Sequence, residues 1–188
     1  MDLDSITAEI KLCTKCPLNK GRNNAVVGVG AQGAKVFFIS EGPDENEDRE
    51  GHPFVGEAGQ FFDELLASID LSRDDTYLTH VVKCRPPHNR DPLEEEVRVC
   101  TSRYLFDQIK YIKPKLIVTL GRHSMHVFFP QIKSVADAHG KAYKKAGQVY
   151  LILHNPSLAL SQPALRETVR EDFKKIPEIM QQIDESQG

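Results

Sequence analysis

The stretch KVFFISEGPDENEDREGHPFVGEAGQ, residues 35–60, decides how the chain folds. It opens on an apolar run rich in Val, Phe and Ile, the composition of a strand covered on both faces. Behind that run come seven acidic side chains between Glu41 and Glu57, mixed with glycines and prolines and a lone Phe54. Three further apolar runs follow: TYLTHVV at 76–82, KLIVTL at 115–120 and VYLIL at 149–153. Between them, residues 57–69, 92–111 and 121–129 carry apolar side chains at helical spacing. Alternating strands and helices predict an α/β fold, a mainly parallel four-stranded sheet covered on both faces, within a single domain spanning 1–188. Active sites of such sheets gather beyond the carboxyl ends of the strands. SEGPDENED, KCRPPHNRDP and HNPSLAL each follow a strand directly, so all three are expected on one rim. GVGAQG at 28–33 precedes a strand and LGRHS at 120–124 is incomplete, so neither is a phosphate loop.

Composition narrows the class of protein. The chain has 188 residues, 40 % of them hydrophobic, enough for a sheet with helices packed on it. No run of about eighteen apolar residues is present, which argues against a membrane span. The opening MDLDSITAEIKLC carries acids where a secretion signal has a basic head, so a cytoplasmic protein is expected, and a monomer. A net charge of -3 argues against a protein that coats nucleic acid, since such binding comes from neutralised phosphates. Two basic clusters remain, Lys83, Arg85 and Arg90 in one and Lys141, Lys144 and Lys145 in the other, which read on their own as solvated loops.

Cys13 and Cys16 form C-x2-C, and Cys84 and Cys100 form C-x15-C. In a reducing compartment two disulfides are not expected. Four thiolates suit tetrahedral zinc or an iron-sulfur cluster, and spacing alone does not choose; burial as small hydrophobes is the third reading. Any shared metal would staple the amino-terminal segment to the KCRPPHNRDP loop.

SEGPDENEDREGHPFVGEAGQ resembles the first motif of family 4 uracil-DNA glycosylases, and TYLTHVVKCRPPHNRDP resembles their second signature. KPKLIVTLGRHS resembles their third strand, and the likeness runs from Cys13 to about Lys175 with the four cysteines at family spacing. The resemblance implies a three-layer α/β/α fold and a [4Fe-4S] cluster on Cys13, Cys16, Cys84 and Cys100. It also implies hydrolysis of the N-glycosidic bond of uracil in DNA, leaving an abasic site for base-excision repair. The enzyme would then work at the nucleoid, on DNA holding uracil or another deaminated base.

Such an enzyme must evert the base and hold it in a pocket. Phe54, by itself an ordinary core phenylalanine, would be the wall on which the base stacks. Gly42 would allow close backbone approach. Bond cleavage leaves positive charge on the sugar and negative charge on the departing base, so a donor is needed at the base and a held water below the sugar. His154 is the expected donor and Glu41 the group that places the water, with Glu47 and Asn89 in the same network. Asp48 and Glu50 read as surface charges. The two basic clusters would meet phosphates, and Leu158 or Leu160 would wedge into the duplex.

Three positions depart from the family pattern. His80 stands where the family has asparagine; an amide offers acceptor and donor side by side to uracil, and an imidazole does not, so base preference is expected to weaken or move. HNPSLAL replaces H-P-A-A-L-L, which leaves Asn155 as a second candidate for the last-motif role. Asp44 replaces a glycine and brings a negative charge near the pocket. These departures support a rival reading, a catalytically silent iron-sulfur protein that binds DNA or damaged bases; a zinc-stapled nucleotide-binding domain is the third.

Overall fold

The computed structural model describes residues 2–187. In chain order the elements are α1 (Leu3–Lys11), β1 (Val29–Gly30), β2 (Val36–Ser40), α2 (Glu45–Glu50), α3 (Gly56–Ala67), β3 (Thr76–His80) and α4 (Glu94–Cys100). A π-helical turn, Thr101–Leu105, leads into α5 (Phe106–Ile112). Then come β4 (Leu116–Leu120), α6 (Arg122–Phe128), β5 (Lys141–Lys145), β6 (Gln148–Leu153), α7 (Leu158–Ser161), α8 (Leu165–Phe173) and α9 (Lys175–Gln187).

The four apolar runs form the parallel centre of the sheet, in the order β3-β2-β4-β6. The sheet has six strands rather than four, because antiparallel β1 and β5 close its two edges. The basic stretch KAYKK, expected as a loop, is edge strand β5; Tyr143 alternates with lysines and its hairpin turns through Ala146 and Gly147, both at positive φ. Exposed lysines on an edge also deter pairing with another chain.

Every residue of β2, β3 and β4 is buried, and the side chains divide by parity between two cores. Phe37, Ile39, Tyr77 and Ile117 pack beneath α1, α5 and α6, while Val36, Phe38, Leu78 and Val118 pack beneath α3, α8 and α9. Phe38 meets Phe62 edge-on at 5.2 Å and Phe173 face-on at 5.9 Å, which ties α3 and α8 to the same strand. Fully burying one such side chain contributes about 1.5–3 kcal/mol, so each strand anchors both layers. The α/β/α arrangement follows from strands that are apolar on both faces.

From β2 the chain passes to β3 on one side and later to β4 on the other. Strand order therefore reverses between β2 and β4, and a crevice opens there at the carboxyl ends.

Candidate active site

Glu41 follows β2 at that crevice. Its Oε1 accepts the backbone N–H of His123 at 3.0 Å, at the start of α6, so the carboxylate is held across the gap between β2 and β4. A Cβ on Gly42 would stand 2.8 Å from Val82 Cγ2, so only glycine lets this turn lie against the exit of β3. His154 follows β6. A cleft of about 760 Å³ joins them, lined by Glu41, Asn89, Gly121, His154, Asn155 and Leu158 among others. That volume is within the range of ligand sites, about 300–1,000 Å³. A smaller cavity of about 120 Å³ adjoins Glu41, Gly42, Asp44 and Asn89. An apolar cleft of about 490 Å³, lined by Ala34, Val36, Ile69 and Met180, opens at the opposite ends of the strands, far from this chemistry.

His154 is half-buried. Burial holds its imidazole below the ordinary value, His139 reinforces the effect and Asp172 opposes it, so the ring is a neutral N–H donor near neutral pH. Asn155 is committed elsewhere. Its Nδ2 donates to Ser40 Oγ and its Oδ1 accepts from Ser157 N–H, each at 3.0 Å, which ties the exit of β6 to the exit of β2. Asn89 and its neighbour His88 both adopt left-handed backbone, φ 55° and 56°, a conformation that costs non-glycine residues about 1–3 kcal/mol and collects at functional sites. Arg85 Nε donates to Asn89 Oδ1 at 2.7 Å and so fixes the amide.

Phe54, His80 and Glu47 form a second group beside the cleft, and none of them lines it. Phe54 has φ 51°; Glu47 accepts its N–H and Arg73 Nη2 donates to its carbonyl at 2.6 Å, so both ends of the strained residue are clamped. The Phe54 and His80 rings lie nearly parallel, 12° apart in plane with centroids separated by 6.4 Å. His80 Nε2 stands 3.3 Å from Glu47 Oε1 but off line for a hydrogen bond, and both ring nitrogens lack a hydrogen-bond partner among the described residues. Burial pushes the Glu47 carboxyl up, but the His80 ring and the N–H groups of Asp44 and Phe54 more than offset this and hold it below its usual value.

Three charged residues are placed otherwise than expected. Asp48 is not a surface charge: it is 1 % exposed and accepts the backbone N–H groups of Asn23 and Asn24, because the amino-terminal segment folds back over α2. Lys83 does not face phosphates. It is 1 % exposed, with Nζ donating to Thr79 Oγ1 and the His80 carbonyl at 2.6 Å each. Asp44 caps α2, accepting Glu47 N–H at 2.9 Å while Glu47 returns the bond to Asp44 N–H, so its charge is spent on the helix start. Glu50 is exposed, and of the two leucines Leu158 is the more exposed while Leu160 packs on the α3 core.

The four cysteines come together although they lie on separate elements. Cys84 and Cys100 are buried in the core beneath α1, α5 and α6, and Cys13 and Cys16 pack against the same core. Burial pushes the Cys100 thiol up to about 12, with Lys83 pulling the other way. Arg22 Nη1 donates to Cys84 Sγ at 3.0 Å and Lys83 N–H to Cys100 Sγ at 3.3 Å, contacts that favour thiolates. Among the described residues no three of His, Cys, Asp or Glu are arranged to hold a single metal ion.

Residues 27–178 match the family model of the Uracil DNA glycosylase superfamily. The chain belongs to that superfamily. It is 45 % identical over 188 residues to the type-4 uracil-DNA glycosylase of Saccharolobus solfataricus, covering 95 % of this chain and 87 % of the relative. It is 44 % identical over 186 residues to that of Archaeoglobus fulgidus, covering 94 % and 92 %. The type-4 enzyme of Thermotoga maritima is 39 % identical over 177 residues, 92 % of each chain. Within this uracil-DNA glycosylase framework, the rim motifs read from the sequence do meet, in an open group (Glu41, Asn89, His154) and a closed one (Phe54, His80, Glu47). Arg22, Arg73 and the pair His139 and Asp172 were not singled out by sequence reading, because each acts through a partner on a distant element and leaves no local spacing. No described helix is long and apolar enough to cross a membrane.

Proposed function

We propose that this protein is a DNA glycosylase that hydrolyses the N-glycosidic bond of uracil, or a related deaminated base, in DNA and leaves an abasic site for base-excision repair. The observation that carries the reading is the convergence of Glu41 and His154 on one cleft where strand order reverses. Glu41, fixed by His123, suits a carboxylate that holds a water beneath the sugar and faces the positive charge that develops there. His154, kept neutral, offers an N–H to the departing base without needing to give up a proton first. The commitment of Asn155 to Ser40 and Ser157 favours His154 over Asn155 as that donor.

Phe54 is then the wall on which the everted base stacks, and His80 the group that meets the edge of the base. For a base to enter, the two rings must part or slide, and the unpartnered nitrogens of His80 gain a partner when it does. Cys13, Cys16, Cys84 and Cys100 are the ligands proposed for a [4Fe-4S] cluster; an all-thiol set with N–H donors on its sulfurs suits one. When bound, the cluster supplies a tie between α1, the β3 exit and α4, with no part in bond cleavage. Leu158, at the cleft edge, is the residue proposed to fill the space left in the duplex. We take the protein to act as a cytoplasmic monomer, at the nucleoid.

Incubation of the purified protein with single- and double-stranded oligonucleotides bearing uracil, hypoxanthine or xanthine tests this. Release of uracil with an abasic product is expected. Binding without release from any substrate would leave the silent-protein reading, which His80 and the HNPS motif favour.

A further inference from the structure

His139 and Asp172 belong to neither the open group nor the closed one, yet they stand directly behind His154. The rings of His139 and His154 pack with centroids 4.7 Å apart and planes inclined at 39°. His139 Nδ1 lies 2.7 Å from Asp172 Oδ2, and Lys175 Nζ donates to the other carboxylate oxygen at 3.1 Å. Asp172 is 2 % exposed, and a buried carboxylate is tolerated only when its oxygens are paired in this way. The backbone is shaped for the cluster. Gly140 has φ +69°, and a Cβ there would stand 2.1 Å from Lys175 Nζ and 2.6 Å from Asp172 Oδ1. Its N–H donates to the Ile152 carbonyl at 2.8 Å, which fixes this segment to β6 two residues before His154.

The His154 side chain, by contrast, has no hydrogen-bond partner among the described residues; only packing sets its orientation. We propose that His139, oriented by Asp172, is a positioning residue for His154, its ring setting the tilt of the donor imidazole over the cleft. The proposal rests on the reading of His154 as the donor. A carboxylate on one ring nitrogen fixes the tautomer and rotation of a histidine, and here that rigidity passes to a second ring by contact. Charge follows the same path. The titratable and charged groups facing His154 are His139 backed by Asp172 and Lys175 on one side, and Glu41, Asp91, Arg122 and Lys133 across the cleft. A cation on His139 disfavours a second one on His154, while Asp172 works the other way.

The test uses the full chain and single-turnover release of uracil from a single-stranded oligonucleotide. His139→Ala is expected to slow release on the order of ten- to a hundredfold with DNA affinity nearly unchanged, because a small misplacement of a reacting group has that cost. His139→Phe, which keeps a flat ring without the bond to Asp172, is expected to recover most of that loss. Its acid limb in the pH-rate profile should move to higher pH, because the His139 ring that holds the His154 value down is gone while Asp172, which raises it, stays. Asp172→Asn, with melting temperature as the folding control, should fall between the two. If His139→Ala and Asp172→Asn both keep the parent rate while His154→Ala is inactive, the positioning role is wrong and the donor reading stands. If His139→Phe is as slow as His139→Ala, ring packing is not the means. If His154→Ala itself keeps the parent rate, the donor reading has failed and this inference with it.

Discussion

On one half of the rim Glu41, Asn89 and His154 border an open cleft, while on the other Phe54, His80 and Glu47 are shut in at 2 %, 1 % and 6 % exposure. The open half leaves its groups facing water: Glu41 is held by the His123 N–H, Asn89 by Arg85, and His154 by packing on His139. The closed half keeps two ring nitrogens of His80 unpaired and a Phe54 at left-handed φ. An unsatisfied buried polar group costs about 1–3 kcal/mol, and the backbone strain costs a similar amount. The contrast teaches that the reacting groups are set in place beforehand, whereas the groups proposed to grip the base carry stored cost that a ligand can relieve.

The comparison breaks most sharply at His154. His154→Ala is expected to lower the single-turnover rate about a hundredfold to a thousandfold, the loss seen when a preorganised donor is removed, with little change in melting temperature because the ring is half-buried. Glu41→Gln keeps an acceptor for His123 N–H but removes the charge, and should cost on the order of a hundredfold in rate in the same assay. An unaltered rate in either variant would remove the open half from the chemistry.

The closed half is probed at His80. His80→Asn presents acceptor and donor from one edge, and should raise the preference for uracil over hypoxanthine about tenfold in a competition assay, the scale of one bidentate pair. A preference that does not move would mean that position 80 is a packing residue only. The smallest effect concerns stability. Glu47 is held below its ordinary value of 4.5, so its contribution is present above that pH and is lost as pH falls through the folded value. Glu47→Gln should therefore cost about 1–3 kcal/mol in urea melts near neutral pH and show a flatter acid limb than the parent. Equal acid limbs would mean that the carboxylate is not ionised against His80.

Most of the rim could be read from the chain because its residues sit at strand exits, and a strand exit is visible wherever an apolar run stops. KVFFI and VYLIL place Glu41 and His154 at strand exits, and the family resemblance supplies the roles expected of them there. The edge strands were harder. Val29–Gly30 is too short to show a period, and KAYKK has only one apolar residue among lysines, so a solvated edge and a loop look alike. Asp48 and Lys83 carry the composition of surface residues, and nothing local tells that Asn23 or the His80 carbonyl will cover them.

By itself the sequence determined the four central strands and the helices between them, the four-thiol set and the identity of the residues at each of those strand exits, since hydrophobic period and chain adjacency are local properties. Only the tertiary structure decided that Phe54 closes on His80, that Asn155 is spent on Ser40, and that Asp172 stands behind His139 and His154. Those pairings join residues as much as 115 positions apart, and they depend on how helices land on the sheet, which no local pattern of side chains records.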